Sequence, residues 1–255
     1  MEQTLNLRTM TFVAPSGHSY TIREQNGADD DILSNPYDAA TLMNLSKFIA
    51  ALVQETTATT SGKLTAQQAH SLPTLDRYCI LIKSRIFSMG ETLEFSHDWG
   101  ANGGEIEYEQ NLNEFLFDYT ALPTPEILEA KPDAIPYYPD RNKLRDVVVE
   151  LSTGKKIKFD LSTGESESYL ISLPVDQRTR NKELMARNLC LEVDGKWEKV
   201  QSFHLFTLRD MAEIRQTINS YDPSWAGLIT ISNGAGETTQ IPLMGITNFF
   251  YPEEI

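Results

Sequence analysis

The chain has 255 residues, 40% of them apolar and 23% charged, with a formal net charge of −14. That length and balance support a buried core in one or two domains and exclude disorder throughout. The charge argues against nucleic acid as a main partner, and no apolar run approaches the roughly 20 residues that cross a bilayer.

Met10 to Ala14, Pro15-Ser16-Gly17 and His18 to Arg23 alternate apolar and polar residues around a turn, the pattern of a β-hairpin. A polar loop carrying Asp29-Asp30-Asp31 is expected next. Leu42, Leu45, Ile49 and Leu52 then repeat at helical spacing over Ala39 to Val53. Thr56 to Gly62, rich in Thr and Ser, reads as a flexible loop. A second helix is predicted over Thr74–Met89, stopped by Gly90. Thr92 to Ser96 and Glu105 to Tyr108 form a second hairpin across the Gly-rich segment from Trp99 to Gly104. Five prolines between Ala121 and Asn142 mark a linker or extended arm.

The order then starts again. Val147 to Leu151, Ser152-Thr153-Gly154 and Lys155 to Phe159 repeat the first hairpin, and Gly154 follows Gly17 by 137 positions (154 − 17). A polar Gly164-Glu165-Ser166-Glu167 loop, helices over Gln177–Leu191 and Thr207–Ile218, and a hairpin from Leu228 through Asn233-Gly234-Ala235-Gly236 to Ile241 complete the series. Asn113-Glu114-Phe115-Leu116 and Asn248-Phe249-Phe250-Tyr251 close the two halves alike. The predicted fold is α+β: two pseudo-repeated units of hairpins plus two helices, residues 1–120 and 144–255, joined by a Pro-rich linker at 121–143.

Catalytic patterns are absent: no phosphate loop, no nucleophile elbow, no dinucleotide fingerprint. His18, His70, His97 and His204 have no partner at metal-ligand spacing. His97 and Asp98 are adjacent on a strand and face opposite ways. Asp29-Asp30-Asp31 lacks the alternate spacing of a calcium loop and reads as a solvated run or a helix cap. Arg209, Asp210 and Glu213 read as capping and surface charges. Cys79 and Cys190 sit in apolar contexts and read as small buried hydrophobes without a disulfide. Met1-Glu2-Gln3-Thr4 has no signal-peptide pattern, so use in the cytoplasm is expected. Neither enzymatic activity nor a metal or other cofactor is expected.

The run Ile82-Lys83-Ser84-Arg85-Ile86-Phe87-Ser88-Met89-Gly90-Glu91-Thr92-Leu93-Glu94-Phe95, with Asn111-Leu112, the Pro15-Ser16-Gly17 hairpin, Arg23-Glu24, Gly27 and the closing Phe249-Phe250-Tyr251-Pro252, resembles the T4-type baseplate hub and assembly protein family of contractile-tailed bacteriophages. Where that family can carry a Cys-x-x-Cys-Gly knuckle, this chain has Asp98 to Gly104 and no cysteine, so a zinc site is not implied. The resemblance implies a structural subunit of the tail baseplate, in or near the hub, present in host cytoplasm during assembly and in the virion tail. It implies other tail and baseplate proteins as partners, and a homo-oligomer within a ring. The alternative is a transient, chaperone-like assembly factor absent from the mature particle. Aromatic residues of the arm and the tail are the expected contact surface: Pro136, Tyr137, Tyr138, Pro139, Phe249, Phe250 and Tyr251.

Overall fold

The computed structural model describes residues 7–100, 103–130, 137–223, 227–246 and 249–251. β1 (Thr9–Val13) pairs antiparallel with β2 (Ser19–Arg23), and alternation turns Tyr20 and Ile22 inward to full burial. The expected acidic loop is instead α1 (Gly27–Leu33). Asn26 and Asp29 form a capping box, so the aspartates occupy a first helical turn, where carboxylates are favoured. Asp29 also grips Arg23 through two bonds of 2.6 and 2.7 Å. α2 (Pro36–Ala39) follows. α3 (Met43–Leu52) starts later than its periodicity suggested, because Leu42 takes a left-handed φ of 55°.

β3 (Val53–Thr56) joins β2 as a third antiparallel strand. The Thr-rich loop after it is a hydrogen-bonded turn: Thr56 N donates to Gly62 O, and Thr59 Oγ1 to Lys63 O at 2.8 Å. α4 (Ala66–His70) was not expected, although Thr65 and Gln68 supply the capping box that announces it. α5 (Thr74–Met89) has its predicted bounds, and β4 (Thr92–Asp98) and β5 (Glu105–Asn111) form the second hairpin. The arm contains α6 (Pro125–Ala130), with proline at its first position.

The second half opens on β6 (Val147–Glu150) and β7 (Lys156–Phe159). The Gly164 loop is in fact α7 (Gly164–Ser172), capped by Thr163 and Ser166. The predicted helix over Gln177–Leu191 shrinks to α8 (Arg180–Ala186), because Asn188 turns left-handed at φ 53°. β8 (Cys190–Val193) then pairs with β7, and β9 (Lys196–Lys199) pairs with β8 across Asp194-Gly195. α9 (Leu208–Tyr221) and the hairpin of β10 (Leu228–Ser232) and β11 (Thr238–Pro242) end the series.

Details recur as well as order. In the first turn Ala14 N donates to His18 O and Gly17 N to Ala14 O; Leu151, Lys155 and Gly154 make the same two bonds, with φ 85° at Gly17 and 79° at Gly154. Each turn docks on a buried aspartate at the third position of the long helix. Ser16 N and Oγ donate to Asp76 at 2.9 and 2.5 Å, and Thr153 Oγ1 donates to Asp210 at 2.5 Å. After each second hairpin a short 3₁₀ turn begins at a fully buried leucine, Leu112 or Leu243, whose N–H donates across the hairpin base at 2.8 or 2.7 Å. That match replaces the expected equivalence of Asn113 with Asn248, the latter lying outside the described residues.

The two cores divide the chain differently from the expected boundaries. The first, around Tyr20, Ile22, Phe48, Ile49 and Ile80, also takes Ile229, Ile231, Leu243 and Phe249 from the far end of the chain. The second, around Ile157, Phe159, Leu189 and Ile214, takes Leu75 from α5 and Tyr138 from the arm. Phe249→Ala is expected to cost about 3–5 kcal/mol in urea unfolding, because it leaves a cavity in the first core. Tyr251→Ala, at a partly exposed position, is expected to stay within about 0.5 kcal/mol of wild type.

Candidate functional site

The aromatic contact surface expected from sequence is largely internal. Tyr138 and Phe249 are fully buried, so neither can serve as a docking residue. Tyr138 OH accepts from Leu75 N at 3.3 Å, tying the arm to the start of α5. Tyr137 and Phe250 pack half-buried on the first core, and Phe250 meets Phe48 and Phe249 edge-on. Pro139 and Tyr251 are exposed. Pro136 lies outside the described residues.

Other sequence candidates are also accounted for by packing. His97 meets the Trp99 ring edge-on at 5.0 Å, while Asp98 accepts from Gly100 N. Trp99 Nε1 donates to Tyr108 OH at 2.7 Å, and Tyr108 OH donates to Ser232 O at 3.0 Å, so the second hairpins of the two halves meet. Cys79 is buried, whereas Cys190 is only half-buried and its thiol donates to Asn188 O. Glu213 is more than a surface charge: it accepts both Ser152 N and Ser152 Oγ.

A polar cluster sits where α4, α5 and α7 meet, and sequence reasoning missed it because its members are far apart along the chain. Arg77, 2% exposed, donates Nη1 to Ser46 Oγ at 2.9 Å and to Ala69 O at 2.8 Å. Its Nε lies 3.8 Å from Glu167 Oε2, and Tyr78 OH donates to Glu167 Oε1 at 2.9 Å. Buried His70 hydrogen-bonds with Ser46 Oγ through Nδ1 at 2.8 Å and with Ser168 Oγ through Nε2 at 3.1 Å. Ser71 Oγ and Gln67 Nε2 donate to Glu165 at 2.5 and 3.0 Å, and Thr74 N to Ser162 O at 2.8 Å.

Electrostatics follow burial. Desolvation lowers the Arg77 pKa and raises that of Glu167, and in each case the partner's charge works in the other direction. His70 is pushed below its ordinary value, chiefly by burial and then by the Arg77 charge. The equivalent aspartates differ in sign. Burial raises Asp76 despite bonds from Ser16 and Tyr20, whereas the Lys155 ammonium and the Thr153 hydroxyl hold Asp210 well below the usual carboxylate range.

Chemically the cluster is a joint. Among the described residues no carboxylate hydrogen-bonds to the His70 ring in the way that a nucleophile's base is oriented, and Ser46 is fully buried with its hydroxyl already engaged. Among the described residues no group of three or more His, Cys, Asp or Glu is placed to hold a metal, and no helix is long and apolar enough to cross a membrane. No protein family, curated protein or solved structure matches this chain.

Two expectations follow. A Cβ at Gly164 would lie 2.6 Å from Arg77 Cζ and 2.7 Å from His70 O, whereas one at Gly27, 137 positions earlier (164 − 27), meets nothing within 4 Å. Gly164→Ala should therefore destabilise by about 1–3 kcal/mol or more in thermal or urea unfolding, and Gly27→Ala should not. The folded protein holds His70 deprotonated below the unfolded pKa of about 6.5, so this group's contribution to stability is complete above that pH and is lost as pH falls toward the folded pKa. The stability difference between wild type and His70→Asn, measured from pH 8 to pH 5, should shrink on acidification, by at most about 1.4 kcal/mol per pH unit.

Proposed function

We propose that this chain is a structural subunit of a contractile phage tail baseplate, in or beside the hub, formed from two copies of one α+β unit and acting through contacts with other tail proteins. The observation that carries this reading is the segment Ile82 to Phe95. Arg85 Nη1 reaches forward to Gly90 O at 3.1 Å, Gly90 turns the chain at φ 92°, and Leu93 and Phe95 enter the first core. The residues that carry the family resemblance thus cooperate in one helix-to-strand corner.

The repeated turn-on-aspartate docking supports the duplication. An offset of 137 positions relates Gly17 to Gly154 and Gly27 to Gly164, and both glycines of the second pair open a helix behind a capping box. The polar joint supports a structural role, since it spends its buried charge on fixing one half against the other.

Quantitative mass spectrometry of purified virions tests the proposal. A fixed small number of copies per particle is the expected result. Absence from particles despite expression in infected cells would move the chain to the transient assembly class.

A further inference from the structure

Beside the buried joint runs an open trough of about 640 Å³. His18 enters it from the β1–β2 turn, Thr59 and Thr60 from the turn after β3, Gln67 from α4, and Arg141 and Arg145 from the arm as it reaches the second unit. Among the described residues no carboxylate lines it.

That absence is informative in a chain with 36 acidic and 22 basic residues, where carboxylates are the commoner neighbours. Neither arginine takes part in an ion pair among the described residues. Arg141 lies across the first turn, its Cδ 3.0 Å from where a Gly17 Cβ would stand. Its Nη2 donates to Tyr119 O at 2.8 Å, and its Nε is buried with no hydrogen-bond partner. Arg145 donates Nη2 to Ser71 O at 2.9 Å. Each guanidinium is thus fixed by a backbone carbonyl, and among the described residues neither forms an ion pair and neither Nη1 makes a hydrogen bond. Glu165, at the border of the trough, is already engaged by Ser71 and Gln67.

We propose that this trough binds an acidic polypeptide segment of a partner protein, with Arg141 and Arg145 receiving its carboxylates and Thr59, Thr60 and Gln67 its backbone. The proposal rests on the reading of the chain as a protein-binding subunit. Charge complementarity selects the occupant, and openness selects a polymer over a free ion. Small-molecule sites are mostly apolar and bury most of the ligand, whereas an exposed ion pair is worth only about 0–1 kcal/mol. A segment that makes several such contacts at once gains from linkage.

The test is fluorescence anisotropy of the full chain with a labelled Asp/Glu-rich octapeptide, a Gly/Ser octapeptide and a Lys-rich octapeptide. At a net charge of −14, non-specific attraction favours the Lys-rich probe, so binding of the acidic one reports a local site. The expected result is salt-sensitive binding of the acidic peptide, weakened at least tenfold in Arg141→Gln/Arg145→Gln. Arg145→Glu alone, at an exposed position, should weaken it comparably, and a thermal melt matching wild type shows that the fold is intact. No binding, or equal binding by wild type and a folded Arg145→Glu, would overturn the proposal. So would displacement of the peptide by low-millimolar phosphate or citrate, which would mark a small-anion site. Copy number in virions is measured separately, so a negative peptide result leaves the baseplate reading standing.

Discussion

A guanidinium cannot leave water without partners for its charge and its N–H groups, and at Arg77 those partners are drawn from most of the molecule. Ser46 comes from α3, the Ala69 carbonyl from α4 and Glu167 from α7 in the other half. Breaking a buried pair of this kind by removing one member typically costs about 3–5 kcal/mol. Arg77 therefore makes the relative placement of the two halves a condition of either half's stability. Gly164 is the backbone counterpart of this constraint, since only a residue without a side chain lets α7 approach Arg77 and the end of α4 so closely. Leu75 and Tyr138 extend the same joint into the second core.

On either side of that joint, similar turns differ in chemistry. Each hairpin turn sits on an aspartate at the head of a long helix. In one case the residue after the turn's glycine is His18, and in the other it is Lys155, whose ammonium lies 2.7 Å from Asp210. Burial raises the pKa of Asp76 against the pull of His18, whereas the hydrogen bond from Lys155 holds Asp210 well below the usual carboxylate range. Among the described residues the sheet of β6 to β9 has four strands, against three in the sheet of β1 to β3.

Much of the fold was legible in the sequence because it is local. Both opening hairpins, α5 from Thr74 to Met89, and β4 with β5 followed from alternation, helical spacing and glycine stops. The misses were of two kinds. Some signals were present and unread: the Thr65-x-x-Gln68 box of α4, the Thr163 cap of α7 and the Asp194-Gly195 turn between β8 and β9. Others were not local at all. Nothing near Phe249 or Tyr138 says which core will take it, and the joint joins Ser46, His70, Arg77 and Glu167 only after the chain has folded. An aromatic residue in a Pro-rich arm or a terminal tail satisfies the same sequence criterion whether it faces a partner or its own protein.

Because Ile229, Ile231, Leu243 and Phe249 complete the first core, the half of the chain made first is the half finished last. At synthesis rates of roughly 5–20 residues per second, Tyr20, Phe48 and Ile80 wait on the order of ten seconds for these side chains to leave the ribosome. Among the described residues the second core borrows Leu75 and Tyr138, both already made, and can close as soon as α9 emerges. The order of completion thus runs against the order of synthesis, and the nascent first half is the stage at which this chain most needs shielding from its neighbours.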